Sequence, residues 1–275
     1  AGKYLYRYDP IAKTGEQISF SSDLFPNISS FNLLGLSVDE NDNLYFGTCN
    51  VGYLGMYDPY AGVFSRLSDW LDATADDDIA PDAMYAGWGG VIVKDGFIYA
   101  SVDGDKNNDD VATHQIIKYS IAEQKIVHHL DLTEHWGIGG TYLKYMNLVG
   151  DKYLLAGSDS MLSKTIAIDI SGEKMQFVTL EGDMDVGYSG YVSGEINGKV
   201  YCLGNTKMDD GMFEIDLETM RVTELDKDAF PADSVKLICW SDSLVTIEGD
   251  DRLPGTSIVT YRNNTANGAV EPIFY

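Results

Sequence analysis

Residues 42–59 read DNLYFGTCNVGYLGMYDP, and pieces of this stretch recur along the rest of the chain. Its two apolar segments, NLYFGT and LGMYDP, each have the length of a β-strand and are separated by a short loop rich in Asn and Gly. Short aromatic and aliphatic runs bounded by Asp, Asn, Gly and Pro predict strands joined by tight turns. The stretch therefore predicts neighbouring strands of an antiparallel sheet, which the following segment VFSRL extends.

The same pattern returns four more times. In each further copy, an inner pair of strands joined by a polar turn occupies the place of NLYFGT. These pairs read GVIVKDGFIYASV, MNLVGDKYLLAGS, VSGEINGKVYCLG and LICWSDSLVTIEG. Aligning Tyr45, Tyr99, Leu155, Tyr201 and Thr246 gives steps of 54, 56, 46 and 45 residues. A four-stranded propeller blade repeats at about 40–50 residues. The sequence therefore predicts an all-β fold, a β-propeller of four-stranded antiparallel blades.

The beginning of the chain matches only part of a blade. The segments KYLYRYDP and EQISF correspond to the two outer strands of the repeat. We therefore expect a single β-propeller domain over residues 1–275, with an incomplete first blade and six blades in all, five to seven remaining open. This start also suggests a domain cut from a longer chain.

The composition restricts the partners. Asp and Glu number 43 against 19 Lys and Arg, so the formal charge is -24, which repels nucleic acid and anionic lipid. No apolar run approaches the roughly 20 residues of a membrane helix, and the three cysteines form no CxxC pair that would indicate a disulfide framework or a zinc site. We expect a monomer that does not insert into membranes. The acidity favours an extracytoplasmic location, secreted, periplasmic or at the cell surface, and the alternative is the cytoplasm.

The run DENDNLYFGTCNVGYLGMYDPYAGVF, Asp39 to Phe64, resembles the two-component regulator propeller repeat, in which a DxxGxLWxGT strand precedes GLxxYDPxxxxF. The match covers one blade, and elsewhere only the turn residues and the aromatic strand persist. The chain resembles virginiamycin B lyase and oligogalacturonate lyase at the same distance, and this resemblance implies metal-assisted elimination at the end of the central channel. The four histidines of the chain show no placement linked to the repeat, which argues against that chemistry.

The long connection DGDKNNDD predicts a calcium site. Asp103, Asp105, Asn107 and Asp109 occupy alternate positions, as the first ligands of a calcium-binding loop do. The position that favours Gly holds Asn108, and the twelfth position holds His114 where such loops have a bidentate Glu. The alternative is a solvated acidic turn. Ca²⁺ is the only cofactor that the sequence suggests.

Aromatic and glycine residues alternate ahead of three inner strands, in YAGWGG, HWGIGGTYLKY and VGYSGY. Aromatic faces with polar edges bind sugars, peptides and aromatic ligands, and glycine allows the backbone to approach them. We predict that these stretches surround the mouth of the channel and bind a carbohydrate or protein ligand. The candidate ligand-binding residues are Tyr85, Trp88, Trp136, Tyr142, Tyr188 and Tyr191. The alternative is that glycines and aromatics fill the space between blades.

No motif establishes catalysis. Lys144 with Tyr142, or Glu195 in SGEING, could act as acid or base near the axis, but the chain has no nucleophile elbow, phosphate loop or HExxH. The sequence favours a noncatalytic ligand-binding or sensing module. The alternatives are a propeller-fold lyase or hydrolase acting on a polysaccharide or small molecule, and a purely structural domain of a larger protein.

Overall fold

The computed structural model consists of β-strands arranged in small sheets. It describes residues 4–19, 24–25, 33–48, 52–69, 83–104, 113–132, 143–158, 165–182, 188–193, 195–204, 212–225, 234–240, 243–248, 259–264 and 269–273. The chain divides into two compact units, Ala1–Leu143 and Lys144–Tyr275. Within the described residues, no helix is long and apolar enough to cross a membrane.

The described residues of the first unit form one hairpin and two four-stranded sheets. The hairpin pairs β1 (Tyr4–Asp9) with β2 (Thr14–Ser19). The first full sheet contains β3 (Leu33–Val38), β4 (Leu44–Thr48), β5 (Tyr53–Asp58) and β6 (Val63–Asp69), in that spatial order. The second contains β7 (Ala83–Lys94), β8 (Phe97–Gly104), β9 (Thr113–Ser120) and β10 (Lys125–Asp131).

Three further sheets follow. The third full sheet contains β11 (Leu143–Val149), β12 (Tyr153–Ser158), β13 (Thr165–Asp169) and β14 (Gln176–Val178). The fourth contains β15 (Glu181–Gly182), β16 (Tyr188–Val192), β17 (Lys199–Gly204), β18 (Met212–Asp216) and β19 (Arg221–Leu225). The fifth contains β20 (Ser234–Trp240), β21 (Ser243–Glu248), β22 (Val259–Asn264) and β23 (Ala269–Ile273).

The predicted repeat is confirmed. The five residues aligned in the sequence lie on β4, β8, β12, β17 and β21, each the second strand of a sheet built from consecutive antiparallel strands. The two N-terminal segments form the separate hairpin of β1 and β2. One sheet departs from the expected four strands, because the two residues of β15 pair in parallel with β19.

A recurring turn joins the third strand of the repeat to the fourth. At its start, Asp58 Oδ1 accepts hydrogen bonds from the backbone N–H groups two and three residues later, at 2.8 and 2.9 Å. Asp216 Oδ1 accepts the equivalent two bonds at 3.0 and 2.8 Å. Four residues after each aspartate, Gly62 and Met220 have positive φ angles. Such side-chain caps satisfy turn amides locally, which explains why Asp recurs at this position.

Buried clusters lie between neighbouring sheets within each unit. In the first unit, Phe46 and Tyr57 belong to a cluster against which Leu5 of β1 packs. A second cluster in that unit joins Tyr45 and Leu54 to residues of β7, β8 and β9, including Ile98. In the second unit, a cluster joins the third and fourth sheets, and its members are Val149, Tyr153, Leu155, Ala167, Leu180, Val200, Cys202, Phe213, Ile215, Leu217, Met220 and Val222. Each of these sheets therefore has apolar side chains on a covered face.

The Asp39 carboxylate organises the turn between β3 and β4. It accepts hydrogen bonds from the backbone N–H groups of Asn41 and Asn43, both at 2.9 Å, and from the Tyr45 hydroxyl at 3.0 Å. Partial burial raises the Asp39 pKa, but these bonds and one from the Asn43 side chain together hold it below its usual 3.8. The ionised form is therefore favoured by folding.

We expect Asp39→Ala to lower the free energy of unfolding at neutral pH by at most about 1 kcal/mol, because the turn is largely solvated. Since folding lowers the pKa, this stabilisation is complete above pH 3.8 and is lost as the pH falls through the lower folded-state value. Urea unfolding at about pH 7 and about pH 3 measures the change. The neighbouring Glu40→Ala variant is the control, and a difference that persists undiminished in acid would contradict the role of the carboxylate.

Candidate functional site

Each full sheet has one edge that carries the longer connections. The first strand of the sheet begins there, the second ends there and the third begins there, because consecutive strands are antiparallel. We call this end of the strands the loop edge of the sheet. The opposite end of the strands, which carries turns such as Asp95–Gly96, is the turn edge. On the second sheet, the loop edge carries the connection between Gly104 and Thr113. The loop edge is where sequence reasoning placed the ligand surface.

Four first strands, β3, β7, β16 and β20, have a shift in pairing register near the loop edge. In β3, Leu34 pairs with Gly47 and Leu36 with Phe46, so Gly35 is inserted between two paired residues. Pairing shifts also occur between Ala86 and Val91 in β7, between Tyr188 and Val192 in β16, and between Ser234 and Lys236 in β20. Bulges bend a strand and redirect its side chains, and they are common beside functional sites.

The bulge of β7 contains most of the predicted aromatic stretch YAGWGG. Ala86 pairs with Val102 and Val91 with Ala100, so residues 87–90 lie opposite Ser101 alone. This stretch, which includes Tyr85 and Trp88, was predicted to come just before the inner strand. That boundary is wrong, because the stretch is part of β7 itself. A local alternation pattern does not reveal where a bulge extends a strand.

The glycines of this stretch allow two backbones to meet. A Cβ added to Gly35, whose φ is +55°, would lie 2.5 Å from Val91 N and 2.8 Å from Gly90 C. A Cβ added to Gly87, whose φ is +77°, would lie 3.0 Å from Leu34 O. The Val93 N–H also donates a 3.0 Å hydrogen bond to Ser37 Oγ. The packing explanation for the glycines therefore holds between β3 and β7, whereas the ligand-binding role of the aromatics stays a prediction.

A similar arrangement occurs on the fourth sheet. Tyr188 pairs with Gly204 and Val192 with Cys202, so residues 189–191 lie opposite Leu203 alone. Tyr188 and Tyr191 of the predicted stretch VGYSGY both belong to β16. Two stretches that the sequence singled out by composition thus share a bulged first strand, although they lie in different sheets.

On the second sheet, a predicted ligand-binding tyrosine and a predicted calcium ligand lie opposite each other on neighbouring strands. Tyr85 of β7 is the backbone partner of Asp103 on β8, and Asp103 is in turn the partner of His114 on β9. The first and twelfth positions of the predicted calcium loop are therefore paired across a ladder at the loop edge. Asp105, Asn107 and Asp109 lie outside the described residues. In the part of the chain that the structure describes, no three His, Cys, Asp or Glu residues form a metal-binding group.

We expect calcium to raise the melting temperature if these residues bind it, and a chelator to reverse the rise, because a ligand that binds only the folded state stabilises it. Asp103→Ala combined with Asp105→Ala should abolish the calcium effect. The control is the double variant Asp42→Ala with Glu40→Ala, which removes the same amount of negative charge from the turn between β3 and β4. Equal melting with calcium and with chelator in the unmodified protein would contradict the site.

The remaining candidates are dispersed. Trp136 and Tyr142 lie outside the described residues, and Lys144 lies on β11. Glu195 is exposed, and its Oε2 lies 3.0 Å from where a Cβ of Gly150 would be, next to the turn between β11 and β12. Glu195 therefore belongs to the turn edge, away from the other candidates of its unit. The described residues bring no pair of acid and base candidates together.

Sequence reasoning did not single out Leu36 and Val38. These residues are two apart on β3, so they point to the same side of the strand, and each is 55% exposed. Their neighbour Ser37 makes the hydrogen bond to β7 described above. Both residues follow the bulge at Gly35. The alternation of Leu36, Ser37 and Val38 within LLGLSV was the sequence signal that could have indicated two apolar side chains on one side of the strand.

Comparison with solved structures identifies the architecture. A protein of unknown function from Bacteroides caccae matches with a TM-score of 0.55 and 11% identity, over 96% of this chain and 87% of the other. The β-propeller domain of the Trilobed protease from Pyrococcus furiosus matches with a TM-score of 0.55 and 7% identity, over 98% and 73%. A post-proline cleaving enzyme from Rickettsia typhi gives 0.55 and 9%, over 98% of this chain and 44% of that one.

These similarities establish the fold and nothing finer, because the identities are low. The chain is a β-propeller of four-stranded antiparallel blades, as the repeat predicted. The chain spans 63% of the length of a matching chain in the mitotic checkpoint complex. No family model and no curated protein matches it. The resemblance of Asp39 to Phe64 to the two-component regulator propeller repeat therefore stays a prediction.

Proposed function

We propose that this propeller is a noncatalytic ligand-binding or sensing module, and that its ligand contacts the loop edges of the blades. The observation that carries the proposal is the bulging of β7 and β16 within stretches rich in Gly, Tyr and Trp. A bulge next to long connections is a common way to aim side chains at a ligand. The resemblance of one blade to the two-component regulator repeat agrees with a sensing role.

The ligand class follows from the chemistry of the residues. Trp88, Tyr188 and Tyr191 supply flat apolar faces with hydrogen-bonding edges, which suit sugar rings and aromatic side chains of proteins. The net charge of -24 disfavours polyanions. Acidic residues such as Asp103 accept hydrogen bonds from hydroxyl groups, with or without a calcium ion. We therefore propose a neutral carbohydrate as the first ligand to test, and a protein surface as the second.

The setting is part of the proposal. We propose an extracytoplasmic, monomeric propeller domain, and the two-component resemblance agrees with a domain that works beside others in one chain. The post-proline cleaving enzyme, of which this chain covers 44%, is one example of a propeller match within a larger protein. A purely structural domain would lack any ligand that stabilises it.

The decisive experiment is a thermal-shift screen against neutral oligosaccharides, followed by calorimetric titration of any that bind. Trp88→Ala with Trp136→Ala should weaken binding at least about tenfold, which corresponds to about 1.4 kcal/mol. Tyr60→Ala is the matched control, because Tyr60 is an exposed aromatic residue on a turn edge. Unchanged affinity in the double variant would refute the aromatic surface.

A turnover assay tests the alternative of a lyase or hydrolase. Uronate polymers and ester substrates are incubated with the protein, with and without divalent ions, and products are separated by chromatography. Binding without product is the expected result. Product formation that stops on replacement of Lys144 by Ala would overturn the noncatalytic assignment.

A further inference from the structure

The outer strand of the third sheet continues into the fourth sheet. β14 pairs with β13 up to Val178. Three residues further on, the chain pairs again, but in parallel and with β19 of the fourth sheet, so that Gly182 lies opposite Val222. We call residues 180–182 the strap. One continuous segment is thus held by two neighbouring sheets of the second unit.

A buried side chain and a backbone hydrogen bond hold the strap in place. Leu180 is 8% exposed and belongs to the buried cluster between the third and fourth sheets. The Glu181 N–H donates a 3.0 Å hydrogen bond to Met220 O. Met220 belongs to the same cluster and has a φ of +55°, a conformation that is unfavourable for residues other than glycine. The strap is therefore fixed on the side of β19 that faces away from β18.

Gly182 allows the strap to lie this close to β19. Its φ is +113°, which residues with a Cβ rarely adopt. A Cβ added there would overlap Val222 O and would lie 3.3 Å from Val222 C. Both are backbone atoms of β19, so a change of side-chain rotamer cannot relieve the overlap. A larger residue at this position would therefore push the strap away from β19.

The strap limits the position of Tyr188, the first residue of β16. The two elements lie at opposite sides of the sheet, whose spatial order is β15-β19-β18-β17-β16. Four strand spacings of about 4.8 Å separate them by about 19 Å across the sheet. Gly182 and Tyr188 are six positions apart in the sequence, and six residues reach at most about 20–22 Å. With so little spare length, the place where the strap is held restrains where β16 can begin.

We propose that the strap is a conformational device that ties β16 to the outer strand of the fourth sheet, so that β16 keeps its shifted pairing only while the strap is held against β19. The proposal concerns the free protein and needs no ligand. Tyr188 and Tyr191 both belong to β16, so the strap also positions the ligand surface of this blade, and that consequence alone rests on the proposed function. Gly182 is then a positioning residue.

The physical basis is the restriction of a chain segment between two fixed points. A segment held at both ends has less conformational freedom to lose when it pairs with a strand than one held at a single end. The pairing of β16 is interrupted, because its register shifts between Tyr188 and Val192 and residues 189–191 lie opposite Leu203 alone. Such an irregularity disrupts the ladder locally. The strap therefore stabilises a strand whose own pairing is weak.

Hydrogen exchange of the whole chain without ligand tests the proposal. In Gly182→Ala, the Glu181 amide should exchange at least about tenfold faster, because its bond to Met220 O is lost. The amides of Tyr188–Val192 should become faster by a similar factor. The amides of β18, which lies between the strap and β16 in the sheet, are the internal reference and should change less.

Gly198→Ala is the matched control. Gly198 precedes β17 in the same sheet and has a φ of +77°, but a Cβ added there would have no atom within 4 Å. This variant introduces backbone strain without touching the strap. It should leave the exchange of the β16 amides unchanged relative to those of β18.

Glu181→Pro is a second test variant. It removes the N–H that bonds to Met220 O, because proline has none, and it leaves the buried cluster intact. The β16 amides should again exchange faster than those of β18. This variant decides if Gly182→Ala accelerates β18 as much as β16, and unchanged β16 exchange in it would then overturn the proposal.

Two other results would also overturn the proposal. One is faster exchange at Glu181 in Gly182→Ala with β16 unchanged, since the strap would then be released without effect on that strand. The other is an equal acceleration of β16 in Gly198→Ala, since strain anywhere in the sheet would then suffice. Neither result bears on the proposed function, which the oligosaccharide screen tests separately.

Discussion

Replacing Gly35 by Ala is expected to destabilise the first unit by about 2–5 kcal/mol. The left-handed conformation at φ +55° costs an L-residue about 1–2 kcal/mol. The added Cβ would also meet Val91 N, Gly90 C and Gly87 O at 2.5–2.9 Å. These are backbone atoms of β7, so relief requires separating two strands, and overpacking of this kind costs about 1–3 kcal/mol. Urea unfolding followed by fluorescence measures the loss.

Gly62→Ala separates the two causes. Gly62 has a φ of +68°, and a Cβ added there would have no atom within 4 Å. This variant therefore reports backbone strain alone, about 1–2 kcal/mol. If the Gly35 and Gly62 variants lose equal stability, the close approach of β3 and β7 is contradicted. A larger loss at Gly35 confirms it.

Replacing Phe46 by Ala is expected to cost about 3–5 kcal/mol, the range for a buried aromatic residue. Phe46 has no exposed surface, and its ring centroid lies 6.0 Å from that of Phe25 and 6.2 Å from that of Phe64. The same cluster receives Leu5 from β1. The loss should therefore loosen the hairpin as well as the sheet, which hydrogen exchange along Tyr4–Asp9 would detect as faster exchange.

Two further variants serve as controls for the Phe46→Ala measurement. Phe46→Leu retains most of the buried volume and should lose less stability than the alanine variant. Ile11→Ala, at a residue that is 94% exposed, should change the free energy of unfolding by no more than about 0.5 kcal/mol. A Phe46→Ala loss as small as that of Ile11→Ala would mean that the cluster does not stabilise the hairpin and the first full sheet.

Several details of the fold could be read from the sequence because they depend on neighbours along the chain. In the outer turns that begin at Asp58 and Asp216, the aspartate caps amides two and three residues away, so its recurrence as YDP or IDL marks these turns directly. Asp95–Gly96 and Asn197–Gly198 likewise combine residues that tolerate positive φ at both turn positions. These signals, with alternating apolar residues, are sufficient to place five copies of one unit.

At the candidate site, the sequence alone did not predict the role of the glycines or the pairing of the strands. The glycines of YAGWGG were compatible with ligand approach and with packing, and only the position of β3 explains Gly35 and Gly87. The pairing of Tyr85 with Asp103 likewise depends on the shift between Ala86 and Val91. A one-residue change in register exchanges the two faces of a strand, so composition alone could not bring these two residues together.

The sequence by itself determined the strands, their order, the turns between them and the β-propeller architecture, because alternation and turn chemistry act within a few residues. The tertiary structure decided the bulges of β3 and β7, the contact between their backbones, and the exposure of Tyr8 where Tyr57 is buried. These features depend on which sheet lies against which, and residues far apart in the chain determine that. The repeat makes each blade alike, while the neighbours of each blade decide which of its glycines and tyrosines pack and which remain exposed.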